Sequence, residues 1–389
     1  MHKTRRLFVK LLHYAIENPN TDYLQLKNPC GGEIGQLIQK FSSEFSSSIS
    51  QLAFKTYTSR AVKRFFVVST ITLIGLYLKR DSPDSTLEII FDNLESIALG
   101  SAGIIFLLES EDRRKRDHYE AWQVINLAQN QPSSGGRVQA LQDLNQDNVD
   151  LEGIDLHGAD LSGINLPFGQ LARANMKKAH LDHANLNKAN LVAAHLEGIN
   201  LQSAHLEDSN LQSAHLEDSN LQSAHLVGAN LNHAHLENAL LSNTNLKDAN
   251  LEFAHLEGTV LYEVNFENAN LGYAYLQCTN LCRANLEGAE LGRGEMEGAV
   301  LHHANLKGAS LHKACLKSAD LWRADLEGAW LCFANLEGAD LSESNLKNIS
   351  WNDKIKWTDV IGIETAKNIS PALQNELSSL GLLPKNTKR

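Results

Sequence analysis

Four histidines recur at intervals of twenty, His195, His215, His235 and His255. Each is followed two residues later by a glutamate: Glu197, Glu217, Glu237 and Glu257. Glu297 and Glu337 continue the acidic row further along. Imidazole titrates near neutral pH and is a common ligand of transition metals. A carboxylate beside it favours the protonated ring. The chemistry open to such a set is a pH-responsive strip or the capture of a divalent metal. Both require a fold that sets residues twenty apart side by side.

The elements that would position them are written in a shorter period. From Leu151 to Leu346 an apolar residue falls on every fifth position, 40 positions in all. Thirty-seven are Leu, and the exceptions are Met176, Phe266 and Met296. Two residues earlier stands Ala in 27 of the 40, so the motif reads A-[N/D/H]-L-x-x, as in Ala189-Asn190-Leu191 and Ala324-Asp325-Leu326. The block LQSAHLEDSN at 201–210 returns unchanged at 211–220. Repetition on this scale is the signature of a stacked-repeat architecture.

A period of five suits neither regular element. On an α-helix, successive Leu would drift by about 140° and line no face. On a straight strand, an odd period sends them to alternate faces. They share one core only if the chain turns once per repeat. Ala and Leu, two apart, then point inward. The residue between them and the one after Leu point outward, and the rest of the repeat makes a corner. Gly198, Gly228, Gly288 and Gly338 fall at that corner, where unusual φ is tolerated.

These motifs resemble those of the pentapeptide-repeat family over about residues 149–348. The resemblance implies an all-β solenoid, a right-handed quadrilateral β-helix with four pentapeptides per coil. Forty pentapeptides would make about ten coils, a rod of roughly 48 Å at the usual strand spacing of about 4.8 Å. Its core, lined by Leu and Ala, would have no room for a ligand. Positions twenty apart would stack in columns. Asn190, Asn210, Asn230, Asn250 and Asn270 form one such column, in which amides can hydrogen-bond along the ladder. The His and Glu columns would run side by side on one outward face, about 6–7 Å apart. The plainer reading of His there is a replacement for Asn or Asp at an outward position, since ligands on neighbouring coils would not converge on one point.

Composition narrows the function classes. The 389 residues carry 46 acids and 35 bases, a formal net charge of −11, and only 6% aromatics. So acidic a chain is unsuited to neutralising a phosphate backbone, and no direct nucleic-acid binding is expected. Five Cys fit a reducing compartment and not a disulfide scaffold. Cys278 and Cys282 would fall on a corner and the next face, and Cys315 and Cys332 in other columns, so they build no metal site. No phosphate-binding glycine loop precedes a strand-to-helix switch. A convex rod offers no cleft in which to perturb a catalytic group. The chain is therefore read as no enzyme, with no catalytic, cofactor-binding or metal residues assigned. The eight His and Glu residues named first are kept as a candidate interaction strip.

The charge is unevenly distributed. Residues 149–348 hold 26 acids and 12 bases, a net of −14, and the remainder is +3. Residues 1–60 are read as a mixed or helical region without a signal peptide. Residues 61–110 are read as a hydrophobic helical hairpin, a candidate transmembrane element. Its two apolar stretches, 65–78 and 97–108, are shorter than the roughly 20 residues that span a bilayer. Basic clusters at Lys55, Arg60, Lys63 and Arg64, and at Arg113, Arg114, Lys115 and Arg116, flank them. By the positive-inside rule both ends would face the cytoplasm. A pair of buried helices in a small soluble domain is the alternative, with a cytoplasmic chain.

Residues 111–148 are read as a basic cluster, a helix over 119–129 and a cap over 137–144. Residues 349–389 are read as a C-terminal cap and tail, with Trp351, Trp357, Val360 and Ile361 over the last coil and a helix near 371–380. Open β-helix ends are unpaired sheet edges and need such covers. The arrangement resembles membrane-anchored pentapeptide proteins of cyanobacteria. That implies a non-catalytic scaffold displayed at the cytoplasmic side of a membrane, binding an unknown protein partner. Some family members mimic the surface of B-DNA and bind gyrase with fluoroquinolone protection, so a soluble acidic DNA-mimic acting on a topoisomerase is a second reading. A metal- or pH-responsive His/Glu strip is a third.

Overall fold

The computed structural model describes residues 110, 112–128 and 136–384. The expectations for 1–60, for the stretches 65–78 and 97–108, and for the last five residues lie outside them. Among the described residues no helix is long and apolar enough to cross a membrane.

Helix α1 covers 112–127 and α2 covers Arg137–Gln146. Then the chain repeats one unit from Leu151 to Ser350: two turn residues, an inward residue, one bridging residue and the next central Leu. The bridging residues pair in parallel at a register of twenty. The columns beginning at Asp155, Asp160, Asn165 and Gln170 are the four walls, so each coil takes four pentapeptides.

One repeat shows why the sequence folds this way. In Leu211–His215, Leu211 N–H donates to the Asn230 carbonyl of the next coil at 2.7 Å, and Ser213 N–H to Asn232 O at 2.9 Å. His215 N–H donates back to Ala194 O at 2.9 Å, and Ala214 N–H closes the turn on Leu211 O at 3.0 Å. The remaining donor, Gln212 N–H, is taken by the side chain of Asn210 at 3.2 Å. All five amides are thus satisfied, as a closely packed chain requires. The Asn preference before Leu follows: its amide oxygen caps the corner as an Asx turn. Its Nδ2 can donate along the column, as Asn230 does to Asn210, Asn250 to Asn230 and Asn270 to Asn250. The expected Asn ladder is present over those four residues.

Two details differ from expectation. The residue after Leu belongs to the turn, so the corner is the pair following Leu. The second turn residue has positive φ at most corners, and Gly fills only some of them. Ala193 (φ 52°), Phe253 (φ 58°) and Tyr273 (φ 57°) adopt it as well. A turn with positive φ at its third residue is held by the i→i+3 bond, and the coil-to-coil bond from that same residue reinforces it.

The interior is filled. The central Leu and the Ala before them are buried along the whole repeat. Phe266 is also fully buried, so the interior accommodates an aromatic at one central position. Ser209, Ser219, Thr244, Thr259, Thr279 and Ser344 occupy the Ala position and are buried too.

Both ends are covered. Leu141 and Leu144 of α2 are buried against the core, and Ile125 and Ala121 of α1 join them. Trp122 and Val124 pack partly, whereas Leu127 is 84% exposed and takes no part. Gln142 of α2 accepts the first-coil amide of Asn165 at 2.9 Å, and Asn145 donates to Pro167 O at 3.0 Å. At the other end the register slips to Asn335↔Lys356, Asp340↔Ile361 and Asn345↔Lys367. Trp357 and Val360 are buried and Trp351 packs partly, but Ile361 takes a bridging position and points outward. A 3₁₀ turn, Ile363–Thr365, and helix α3, Pro371–Ser379, complete the cap. Ser370 accepts the Leu373 amide at the start of α3, and Leu373 and Leu377 are buried.

Candidate functional site: a histidine–glutamate strip

The eight candidate residues come together on one wall. Each His occupies the bridging position and its Glu the first turn residue beyond the intervening Leu. The rings stack in register. The His195–His215, His215–His235 and His235–His255 centroids are 5.3, 4.9 and 4.7 Å apart, and Tyr275 continues the stack. Nδ1 of each His faces its own Glu Oε1, at 3.5 Å for His195, 3.0 Å for His215, 3.2 Å for His235 and 3.5 Å for His255.

This packing has a local cause. His has no oxygen with which to cap the corner, and at Glu197 the following carboxylate supplies an acceptor. At Glu197 the carboxylate is bonded by its own backbone N–H. Partial burial of that carboxylate raises its pKa. Hydrogen bonds from Lys177 and the backbone, with the nearby charges of Lys177 and His195, outweigh it and hold Glu197 below the ordinary carboxylate range. Lys177 lies 2.9 Å from Glu197 at one end of the acidic row, and Lys317 lies 3.7 Å from Glu297 further along.

The second carboxylate oxygen is left over. Oε2 of Glu197, Glu217, Glu237 and Glu257 is buried without a hydrogen-bond partner. Donor atoms of His235, Glu237 and His255 lie within 4.8 Å of one another, as do those of Glu197, His215 and Glu217. Ligands from neighbouring coils thus approach one another, though more widely than the roughly 3.3 Å at which the ligands of a tetrahedral ion stand. The coil rise is close to the ring-stacking distance, so side chains of neighbouring coils lie side by side.

A third set, His205, Glu207 and His225, lies two pentapeptides away on the opposite wall. The sequence hides it because Val227 interrupts the His-x-Glu pattern, although the interval of twenty is legible. A corner ridge is hidden in the same way. His233, Phe253 and Tyr273 stack at 4.9 and 4.7 Å, and the Arg293 guanidinium lies 5.3 Å over the Tyr273 ring.

Cys278, Cys282, Cys315 and Cys332 are free thiols. Cys278 and Cys282 both occupy turn positions, so the expectation of Cys282 on a wall is corrected. Burial pushes the Cys315 thiol up. An open depression lies where Gln142 and Asn145 of α2 meet Asn165 and Phe168.

Comparison with known proteins bears on this repeat. The family model of pentapeptide repeats matches in eight copies, over segments between 170–202 and 321–349. Repeats of this family wind as a right-handed quadrilateral β-helix. HetL, a pentapeptide repeat protein involved in heterocyst differentiation regulation from the cyanobacterium Nostoc sp. strain PCC 7120, is 30% identical. The match covers 56% of this chain and 90% of HetL, with a TM-score of 0.33. A pentapeptide repeat protein of the Arabidopsis thaliana thylakoid lumen is 25% identical over 27% of this chain and 77% of its own, with a TM-score of 0.21. Full-length QnrB1, a plasmid-mediated fluoroquinolone resistance protein, is 15% identical over 52% of this chain and 93% of its own, with a TM-score of 0.26. No curated protein sequence matches the chain.

Proposed function

Because the chain belongs to the pentapeptide-repeat family, we propose that it is a non-catalytic protein-interaction scaffold, an acidic rod of ten coils displayed at the cytoplasmic side of a membrane. The observation that carries this reading is the division of each repeat. Leu and Ala fill the interior without a cleft, and every variable side chain stands on a convex outer wall. Such a surface can bind a macromolecule but cannot enclose a small one. The net charge of −14 on 149–348 favours a basic protein surface as partner.

Affinity capture with the full chain as bait tests the scaffold. A specific protein retained at low salt and released at high salt is expected. Retention of nothing above a control bait would overturn the reading. The membrane part rests on the apolar stretches and basic clusters around 65–78 and 97–108. High-speed centrifugation without detergent tests it: the chain should sediment with membranes and be released by detergent, and a chain left in the supernatant sinks the anchor.

The same acidity supports a second reading, a soluble DNA-mimic that binds a topoisomerase such as gyrase. Purified chain should then inhibit gyrase supercoiling at micromolar concentration. Absence of inhibition removes that reading.

A further inference from the structure

We propose that His235, Glu237 and His255 bind one divalent transition-metal ion of the zinc class between two adjacent coils, with a site of the same donors on the opposite wall at His205/Glu207/His225; Glu197/His215/Glu217 offers a different set, one imidazole and two carboxylates. The donor set fits. Two imidazoles and a carboxylate are a recurrent zinc ligand set that leaves a fourth position open. Ligands about 2.0–2.1 Å from a tetrahedral ion stand about 3.3 Å apart. Nδ1 of His235 and Oε1 of Glu237 already stand 3.2 Å apart.

The third ligand comes from the next coil. The His255 ring stacks 4.7 Å above that of His235, and a donor atom of each residue in the set falls within 4.8 Å of the other two. Both rings are about one-third exposed, so a modest tilt of each can close the gap without moving the ladder. A further observation points to a ligand. Oε2 of Glu237 is buried and unpartnered, and such a group needs a partner or an explanation. A metal ion held by both oxygens of the Glu237 carboxylate supplies one. It would also tie consecutive coils together.

The selectivity follows from the donors. Imidazole nitrogen suits zinc and its neighbours, whereas magnesium and calcium require oxygen cages that this wall lacks.

The test is zinc titration of the untagged full chain by calorimetry, with melting temperature followed in parallel. The wild type should bind zinc with micromolar or tighter affinity, melt higher with zinc, and keep its zinc in millimolar magnesium. The combined variant His235→Asn and His255→Asn should lose one equivalent. It should also fold, because Asn175 and Asn335 hold the same column position, and circular dichroism checks this. Glu237→Gln, a change to the residue type that Gln277 already brings to the same column, should weaken that equivalent at least tenfold. A flat wild-type titration overturns the proposal. So do unchanged stoichiometry and affinity in the variants, or displacement of zinc by magnesium.

Discussion

Nδ1 of His215 lies 3.0 Å from Oε1 of Glu217, although a fully buried Leu216 separates the two residues in the chain. The contact exists because one side chain leaves the wall and the other leaves the adjoining corner on the same side. It recurs one coil later, at 3.2 Å, between His235 and Glu237. A five-residue period has therefore placed two outward side chains in contact and repeated the pair up the rod. Lys317 and Glu297, one coil apart in the acidic row, also lie within ion-pair reach. This is surface built by the repeat, and its consequences extend from stability to binding.

The first consequence concerns the Ala position. Ser209 and Ser219 stand there fully buried, and neither hydroxyl has a hydrogen-bond partner. Thr244, in the same position elsewhere, donates to Leu221 O at 2.8 Å. Ser209→Ala and Ser219→Ala should each stabilise the chain by about 1 kcal/mol, because an unpaired buried hydroxyl carries a desolvation penalty. The denaturation midpoint in urea checks this. A lower midpoint for either variant would contradict it.

Phe266 tests the packing of the core. Phe266→Ala should lose roughly 3–5 kcal/mol through lost burial and the cavity left behind. Phe266→Leu restores the residue of the repeat and should lose less than about 1.5 kcal/mol. Equal losses would show that the interior collapses freely around the position.

Glu343 tests the electrostatics of the last coil. The Arg323 side chain, bonded to it at 2.8 Å, holds its carboxyl below the ordinary range; partial desolvation opposes this, and the charges of Arg323, Lys367 and His303 add to the lowering. A carboxylate depressed in the folded state stabilises above its unfolded pKa, and that contribution fades as pH falls through the lower folded value. Arg323→Met should raise the Glu343 pKa measured by NMR and flatten the acid end of the stability profile. An unmoved Glu343 titration would refute the pairing.

Much of this is legible in the sequence, for a physical reason. Leu every fifth residue with Ala two before it admits only a chain that turns once per repeat; that four repeats close a coil, and so that Asn residues twenty apart stack, is what the resemblance to pentapeptide repeats implies. What escapes depends on atoms and not on period. The role of Asn210 in capping Gln212 N–H is invisible until the turn is built. Positive φ at Ala193 and Phe253 cannot be read from their types, since coil-to-coil hydrogen bonds impose it. How the interior holds the Phe266 ring among positions otherwise taken by Leu and Met is a matter of packing that the period does not show. The approach of donor atoms of His235, Glu237 and His255 to within 4.8 Å of one another depends on side-chain conformation, which spacing alone does not reveal. Ile361 reads as a cap residue until the register slips by one and turns it outward.

The central claim is that the outward acidic wall of the rod, and not its interior, receives a partner. It is tested most directly by capture with two baits, the full wild-type chain and a variant combining Glu197→Gln, Glu217→Gln, Glu237→Gln and Glu257→Gln, both with chelator present to remove metal bridging. Gln277 shows that the column accepts Gln. The wild type should retain a specific basic protein at low salt, and the variant at least tenfold less. Equal retention by the two baits, or none by either, would contradict the account.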